Sequence, residues 1–246
     1  MDKVILEIRA GVGGEEAAIF AGDLTRMYQK YSAKQNWKFA IVDFNQTSLD
    51  GYKTLIAEIE SPLTASEQNL IEILKNESGV HRIQRIPKTE KSGRVHTSTA
   101  SVAVLPEIEQ KEIQINPSDL EISFFRASGP GGQNVNKVET AVRIVHKSTG
   151  IVVASQAGRS QHANREQAMN ILRAKLYEKK RLAEQAILGN LRQDQIGTAE
   201  RAEKIRTYNF PQDRITDHRL NKSWHNIEKI MNGDLDPIIK ACQTWS

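Results

Sequence analysis

An α+β architecture built around two cores is the fold class that this 246-residue sequence predicts. Three observations carry it. Strand-like and helix-like periods mix irregularly through residues 1–118, a short β pattern followed by a long helical stretch fills residues 119–195, and turn chemistry with short helical stretches occupies residues 196–246. With 39% apolar residues the chain has enough material for one or two buried cores.

The first element is Val4-Ile5-Leu6-Glu7-Ile8-Arg9, which reads as a strand. Gly11-Val12-Gly13-Gly14 then turns the chain into a helix from Glu15 to Tyr31, with Ala18, Phe20, Leu24, Met27 and Tyr28 at helical spacing. A glycine turn between strand and helix invites a dinucleotide-binding reading. Here the third glycine of that fingerprint is replaced by Glu16, and two carboxylates would repel a pyrophosphate, so the reading is excluded. Glu15 and Glu16 can instead complement the positive end of the helix dipole, or Glu16 can serve as a cap. Further strands are expected at Trp37–Phe44, Lys53–Glu60, Ser101–Leu105 and Glu112–Ile115, with Pro106 and Pro117 closing two of them. A second unit starts near Ile122. Its strands Thr140–His146 and Gly150–Ser155 are joined by a turn at Ser148-Thr149-Gly150 and followed by a helix from Asn164 toward Arg192. The tail turns at Asn209-Phe210-Pro211 and is expected to be helical near Lys222–Met231 and Pro237–Cys242.

No apolar run approaches the roughly 18 residues of a membrane span, and the first residues lack the apolar core of a secretion signal, so a cytoplasmic protein is expected. The single cysteine, Cys242, can form neither an internal disulfide nor a cysteine-based metal cluster; no metal or other cofactor is expected. Charge is strongly partitioned although the net value is only +4. Residues 82–98 carry five basic side chains against one acidic, and residues 126–181 carry eleven against three. Two positive segments in a nearly balanced chain suggest two contacts with a polyanion, most economically nucleic acid, although solvated basic faces would give the same counts.

Between the two expected cores lies Arg126-Ala127-Ser128-Gly129-Pro130-Gly131-Gly132-Gln133-Asn134-Val135-Asn136-Lys137, without an acid, histidine or cysteine. It is not a phosphate-binding Walker loop, because Gly132 is followed by Gln133 rather than by Lys and Ser/Thr. What it offers is backbone. Paired glycines permit close approach and present N–H groups that can stabilise a developing oxyanion, while a plain flexible linker would also be glycine-rich.

The run Ser128 to Lys137 resembles the signature of ribosomal factors that hydrolyse peptidyl-tRNA. That resemblance implies a Gly131-Gly132-Gln133 tip entering the peptidyl transferase centre. The Gln133 N–H would be the transition-state donor and its side chain the group that admits water, with the rest of the catalysis shared with rRNA. It also implies N5-methylation of Gln133 by a glutamine methyltransferase, and rRNA contacts for Arg126, Lys137, Arg159, Gln161 and His162. The segments Ser78 to Glu90 and Gly93 to Ser98 resemble the decoding region of bacterial class I peptide chain release factors of the UAA/UAG-reading type, where Pro87-Lys88-Thr89 marks the type. Carried over by position, Gly13 and Glu16 match a helix tip reading the first uridine, Thr89 contacts the first two bases, His96 stacks between bases, and Thr97 with Gln84 serves the third. A hydroxyl that both donates and accepts, and an imidazole face that stacks, suit the reading of single-stranded bases. His81, His146 and His218 are expected to be structural or to face rRNA.

The resemblance continues through Arg206–Gln212 and Ile215–Arg219 and so spans almost the whole chain. It implies a mixed-sheet stop-codon-recognition domain (1–118), a small β-sheet and helix domain carrying the glycine-glycine-glutamine loop (119–195), and a C-terminal segment packing back on the first domain (196–246). The expected partners are the ribosome with its rRNA, the mRNA stop codon and P-site peptidyl-tRNA, engaged by a monomer. Three features depart from the family pattern. The chain starts at the first strand of the decoding domain, whereas these factors usually carry a preceding helical domain. Residues 61–76 are longer than the usual glycine-containing turn. Pro130 and Asn134 stand where alanine and histidine are more frequent, a variant commoner in codon-independent rescue factors. A rescue factor usually lacks a decoding domain and uses a basic tail, whereas Ile238 to Ser246 holds one lysine. A non-catalytic rRNA-binding or assembly protein is a third reading, against which Gly131-Gly132-Gln133 speaks.

Overall fold

The computed structural model describes residues 2–62, 69–87, 90, 92–107, 115–126, 138–197 and 201–244. The fold is α+β and divides into two compact units, one made of Met1–Glu107 with Leu188–Ser246 and the other of Ile108–Ile187. The smaller unit is therefore an insertion in the sequence of the larger.

In the larger unit, β1 (Asp2–Ala10) leads into α1 (Glu15–Lys34), followed by β2 (Lys38–Gln46), β3 (Tyr52–Ser61), the short α2 (Leu70–Leu74), β4 (Gly79–Arg85) and β5 (His96–Pro106). Residues from the end of the chain add β9 (Lys204–Asn209), β10 (Arg214–Asp217), β11 (Lys222–His225), α4 (Ile227–Met231) and α5 (Asp236–Gln243). Among the described residues the sheet has eight strands in the order β11-β10-β9-β4-β5-β1-β3-β2. Every neighbouring pair is antiparallel except β4 and β9, which run parallel. Pairing with β9 satisfies the outer backbone groups of β4, which would otherwise form an exposed sheet edge.

The helical spacing of α1 decides what covers this sheet. Ala18, Phe20, Leu24, Met27 and Tyr28 are all buried, against Leu6, Ile8, Val102 and Val104 of β1 and β5. Ile227 and Ile230 of α4 and Ile238, Ile239 and Cys242 of α5 join the same core, so the C-terminal segment packs on the N-terminal sheet. Each such aliphatic or aromatic side chain contributes about 1.5–3 kcal/mol on burial. The structure departs from the helix expected over Lys222–Met231. Lys222–His225 is strand β11, paired with β10, and only Ile227–Met231 is helical. The break is at Asn226, which adopts φ 67° and caps α4 by accepting from the Lys229 N–H at 3.1 Å. Of the expected strand Glu112–Ile115, residues 112–114 lie outside the described residues, and Ile115 belongs to no strand.

A charged cluster sits inside this core. Arg206 of β9 is fully buried and bonds both carboxylate oxygens of Glu77, at 2.7 and 2.8 Å, and Asp217 of β10 at 3.2 Å. Tyr28 donates to Glu77 at 3.0 Å, and Arg219 caps Asp217 at 2.7 Å. His81 bridges the Glu77 carbonyl oxygen at 2.9 Å and the Tyr208 hydroxyl at 3.3 Å. It is a structural residue.

Burial, reinforced by the Arg206 charge, pushes the His81 pKa down from 6.5 to about 4. Burial would raise Asp217, but hydrogen bonds from Arg219 and the Arg206 charge prevail and take it from 3.8 to about 2. In both cases the unfolded chain binds its proton at a higher pH than the folded chain. Stability should therefore fall as acidity increases, through His81 between pH 6.5 and about 4 and through Asp217 between 3.8 and about 2. Unfolding free energies from urea titrations between pH 7 and pH 4 should show a slope approaching about 1.4 kcal/mol per pH unit for the His81 proton, as an order-of-magnitude limit of one proton. A His81→Gln variant with an undiminished slope would contradict this.

The smaller unit holds a three-stranded antiparallel sheet, β6 (Leu120–Phe125), β7 (Ala141–His146) and β8 (Ile151–Ser155), followed by α3 (Gln161–Ile196). Ala168, Leu172 and Leu176 lie four residues apart on α3 and bury against Val142, Ile144 and Val153. The last turns of α3 fall in the larger unit, where Arg192 donates to Glu7 at 2.8 Å and Gln195 bonds both backbone groups of Val104 at 2.9 Å.

Candidate functional site

Two sets of candidate residues were expected, one in each unit. In the larger unit the β1–α1 turn is stitched to β5. Gly11 N–H donates to the Thr99 carbonyl oxygen at 2.8 Å, Thr99 N–H to that of Val12 at 2.9 Å, and Val12 N–H to the Thr99 hydroxyl at 2.9 Å. Gly13 adopts φ +139°, and a Cβ there would run into the Ser98 side chain, so the turn needs glycine twice over. Gly14 is the N-cap of α1 and supplies no side-chain cap. The first N–H held within the helix is that of Ala18, on the Gly14 carbonyl oxygen at 3.3 Å, so the N–H groups of Glu15, Glu16 and Ala17 point out of the helix end. They form a donor-rich, partially positive tip.

The Glu16 side chain does not cap that tip. It is 4% exposed and turns inward, where one oxygen accepts from Arg85 Nε at 2.5 Å. The other oxygen has no hydrogen-bond partner among the described residues. Arg85 also reaches Asp23 of α1 at 2.7 Å and lies over the Phe210 ring, 5.6 Å from its centroid. Burial alone would lower the Arg85 pKa; the charge of Asp23 and the bond to Glu16 reverse that and raise it.

The register of β4 with β5 sets the remaining positions. Gln84 stands opposite Thr97 and Arg85 opposite His96. Directly opposed residues share a face and successive ones alternate, so His96 lies on the face that Arg85 shares with α1, and the Gln84–Thr97 pair lies on the other. His96 is exposed and its Nε2 meets a Glu90 carboxylate oxygen at 2.6 Å. Glu90 also accepts from the Ser92 N–H at 2.7 Å and from its hydroxyl, and these bonds lower its pKa. The buried Pro87 accepts the Glu90 N–H at 3.1 Å through its carbonyl oxygen. Lys88 and Thr89 lie outside the described residues. Gly13, Glu16, Gln84, Pro87, His96 and Thr97 are thus collected at one end of the β4–β5 pair and the neighbouring helix tip.

In the smaller unit Gly131, Gly132, Gln133 and Lys137 lie outside the described residues. What frames them is described: Phe125 at the end of β6 pairs with Ala141 at the start of β7, so the chain leaves and re-enters the sheet at neighbouring positions. Arg126, Arg159, Gln161 and His162 are exposed. The Gln161 side chain donates to the Glu139 carbonyl oxygen at 3.2 Å. His162 lines a shallow depression of about 420 Å³ with Arg165 and Arg173, all three on α3.

Asn164, fully buried, holds this region together. Its amide donates to the carbonyl oxygens of Thr140 at 2.8 Å and Gly158 at 3.0 Å and accepts from Gly158 N–H at 2.7 Å. It anchors the start of α3 to both flanking loops. The sequence reading missed this role, yet there was a signal: Asn164 occupies the first place of the buried row Asn164, Ala168, Leu172, Leu176. Arg85 was likewise missed. His146, largely buried, bonds the Thr149 hydroxyl at 2.8 Å within the β7–β8 turn, and His218 bonds the Thr207 hydroxyl at 2.7 Å.

Comparison with known proteins gives matches to both parts of the chain. A family model described as the PCRF domain matches residues 1–102, and one described as the RF-1 domain matches residues 107–219. Peptide chain release factor 1 of Carboxydothermus hydrogenoformans is 56% identical over 241 residues, 98% of this chain and 66% of that protein. Peptide chain release factor 1 of Thermotoga maritima is 53% identical over 97% of this chain and 68% of that protein. A solved structure titled RF2 of Thermus thermophilus superposes with a TM-score of 0.58 at 37% identity, covering 99% of this chain and 68% of that one. The chain spans 66% of the first of these relatives and 68% of the other two. With its sheet, helix tip and inserted unit matched from end to end in this way, the chain belongs to the peptide chain release factor family.

Proposed function

We propose that this chain terminates translation: it recognises UAA or UAG in the ribosomal A site and promotes hydrolysis of the ester between the finished peptide and the P-site tRNA. The observation that carries the proposal is the joint presence, in one chain 53–56% identical to relatives named peptide chain release factor 1, of the β4–β5 pair against the α1 tip and a Gly131-Gly132-Gln133 loop in a separate unit. Codon reading belongs to the 1–118 domain, supported by the 196–246 segment, and hydrolysis to the 119–195 domain.

The uncapped N–H groups of the α1 tip suit the carbonyl oxygens of a first-position uridine, with Gly13 allowing close approach. Thr89 contacts the first two bases, Pro87 and Lys88 shape its loop, His96 stacks, and Gln84 with Thr97 serves the third. For His96 to stack, its imidazole exchanges the Glu90 carboxylate for a base. In the smaller unit's reaction, water attacks the ester carbonyl carbon and gives up a proton while the Gln133 N–H donates to the oxyanion of the tetrahedral intermediate; the C–O bond to the tRNA ribose then breaks as the carbonyl re-forms, and the leaving 3′ oxygen takes up the proton that the water lost, passed on through rRNA or solvent groups. The chain supplies a donor and a shape, and rRNA supplies the remaining groups, so no acid–base pair, metal or cofactor is required of the protein. Arg126, Lys137, Arg159, Gln161 and His162 contact rRNA, and the basic residues of α3 extend that surface. The protein acts as a cytoplasmic monomer, and a methyltransferase modifies Gln133. Among the described residues no helix is long and apolar enough to cross a membrane.

Release of formyl-methionine from ribosomes programmed with UAA, UAG, UGA, a sense codon or an empty A site tests the proposal. Release on UAA and UAG alone is expected. Equal rates on a sense codon or an empty site would replace it with a rescue activity, and no release on any would remove hydrolysis altogether. Thr89→Ala should narrow the preference for UAA over a sense codon by about tenfold, within the roughly 1–3 kcal/mol of a lost base-edge contact, while ribosome binding changes little.

A further inference from the structure

We infer that Arg85 is a positioning residue of the codon-reading region: its guanidinium clamps the tip of α1 to the end of β4, so that the helix tip and the end of the strand that leads into Pro87 are held at one spacing. The inference rests on the termination proposal above. Arg85 is the last residue of β4, two residues before Pro87, and stands opposite His96. Its Nε meets Glu16 at 2.5 Å and its Nη1 meets Asp23 at 2.7 Å. Glu16 and Asp23 lie two helical turns apart on one face of α1, so two bonds from one rigid, planar group fix both the height and the tilt of the helix relative to β4. Phe210, in the turn after β9, backs the guanidinium from a third direction.

Stability alone does not account for this arrangement. A buried ion pair costs about as much in lost hydration as it returns, and an apolar pair of similar size often does as well. Here the compensation is incomplete, because the second Glu16 oxygen is buried without a hydrogen-bond partner among the described residues. An incompletely satisfied buried carboxylate calls for a reason other than packing. What Glu16 and Arg85 share is their place: one lies in the first turn of the helix whose N–H groups meet the first base, the other at the root of the loop that meets the first two.

The test uses the full chain and formyl-methionine release on ribosomes programmed with UAA or with CAA, which differs in the first letter. Arg85→Lys keeps the charge but cannot make both bonds in the same geometry. It should raise KM on UAA about tenfold, reduce kcat by less, and narrow the UAA-over-CAA ratio of kcat/KM by about tenfold, the scale of one misplaced contact. Asp23→Asn, which leaves the bond to Glu16 in place, should shift all three in the same direction by less, and it carries the test if Arg85→Lys does not fold. Equal losses on UAA and CAA in both variants, with an unchanged ratio, would reduce Arg85 to an ordinary structural residue and overturn the inference. An unmutated chain that releases equally on UAA and CAA would instead overturn the termination proposal, and this inference with it.

Discussion

Gln133→Pro should abolish peptide release, whereas Gln133→Ala should retain a measurable fraction of it. Proline removes the backbone N–H, and alanine removes only the side chain. A single oxyanion donor is worth about 10²–10³ in rate, so the proline variant should lose at least that much, and distortion of the loop adds to the loss. Alanine keeps the proposed donor and loses the amide proposed to select water, so the defect should be smaller and should show as reduced discrimination against other nucleophiles such as hydroxylamine. The measurement is single-turnover release on UAA-programmed ribosomes, with factor binding checked separately. Equal losses for the two variants would sink a backbone-donor mechanism.

Removing one partner of the buried Arg206 cluster should have the largest effect on stability. Glu77→Leu leaves a fully buried guanidinium with Asp217 as its remaining carboxylate partner among the described residues, and Asp217 is already engaged by Arg219. The expected cost is about 3–5 kcal/mol, the usual scale for an orphaned buried charge. In a chain of this size that corresponds to a fall in Tm of about 6–20 °C. Adding Arg206→Met to Glu77→Leu should recover part of the loss, because the charge leaves with its partner and Arg219 still satisfies Asp217. Urea unfolding of the two variants decides the matter; a single variant within 1 kcal/mol of the parent, on the roughly 3–5 kcal/mol scale expected, would show that the cluster is hydrated or rearranged.

How much of this was legible in the sequence depended on whether a position is governed by its neighbours along the chain or by distant ones. Helix α1 was legible because every third or fourth residue from Ala18 to Tyr28 is apolar and only one face needed burying. Strands β4 and β9 were not proposed. In Val80-His81-Arg82-Ile83 and Ile205-Arg206-Thr207-Tyr208, charged or imidazole side chains occupy positions that the fold buries completely, His81 and Arg206. Their partner Glu77 is 129 residues from Arg206, a distance at which no local period exists. The misassigned helix over Lys222–Met231 has the same origin: Lys222–His225 is strand only because β10 lies beside it. At the site, the candidate residues were found by resemblance. Arg85 and Asn164 were missed because their importance lies in what they connect, a helix to a strand and a helix to two loops, and spacing along the chain does not record that.

The parallel pairing of β4 with β9 has a consequence for how the molecule is made. The edge of β4 is sealed by a strand some 120 residues later in the chain, after the whole inserted unit. During synthesis the inserted unit can therefore fold first, while the strand that leads to Pro87 waits with unpaired amides. Contacts of such high order close slowly, and until they close an open edge is a template for wrong partners. A chain halted before β9 emerges should be a folded inserted unit attached to an unfinished, aggregation-prone sheet, so that under the proposed function hydrolytic and codon-reading competence would arise at different times.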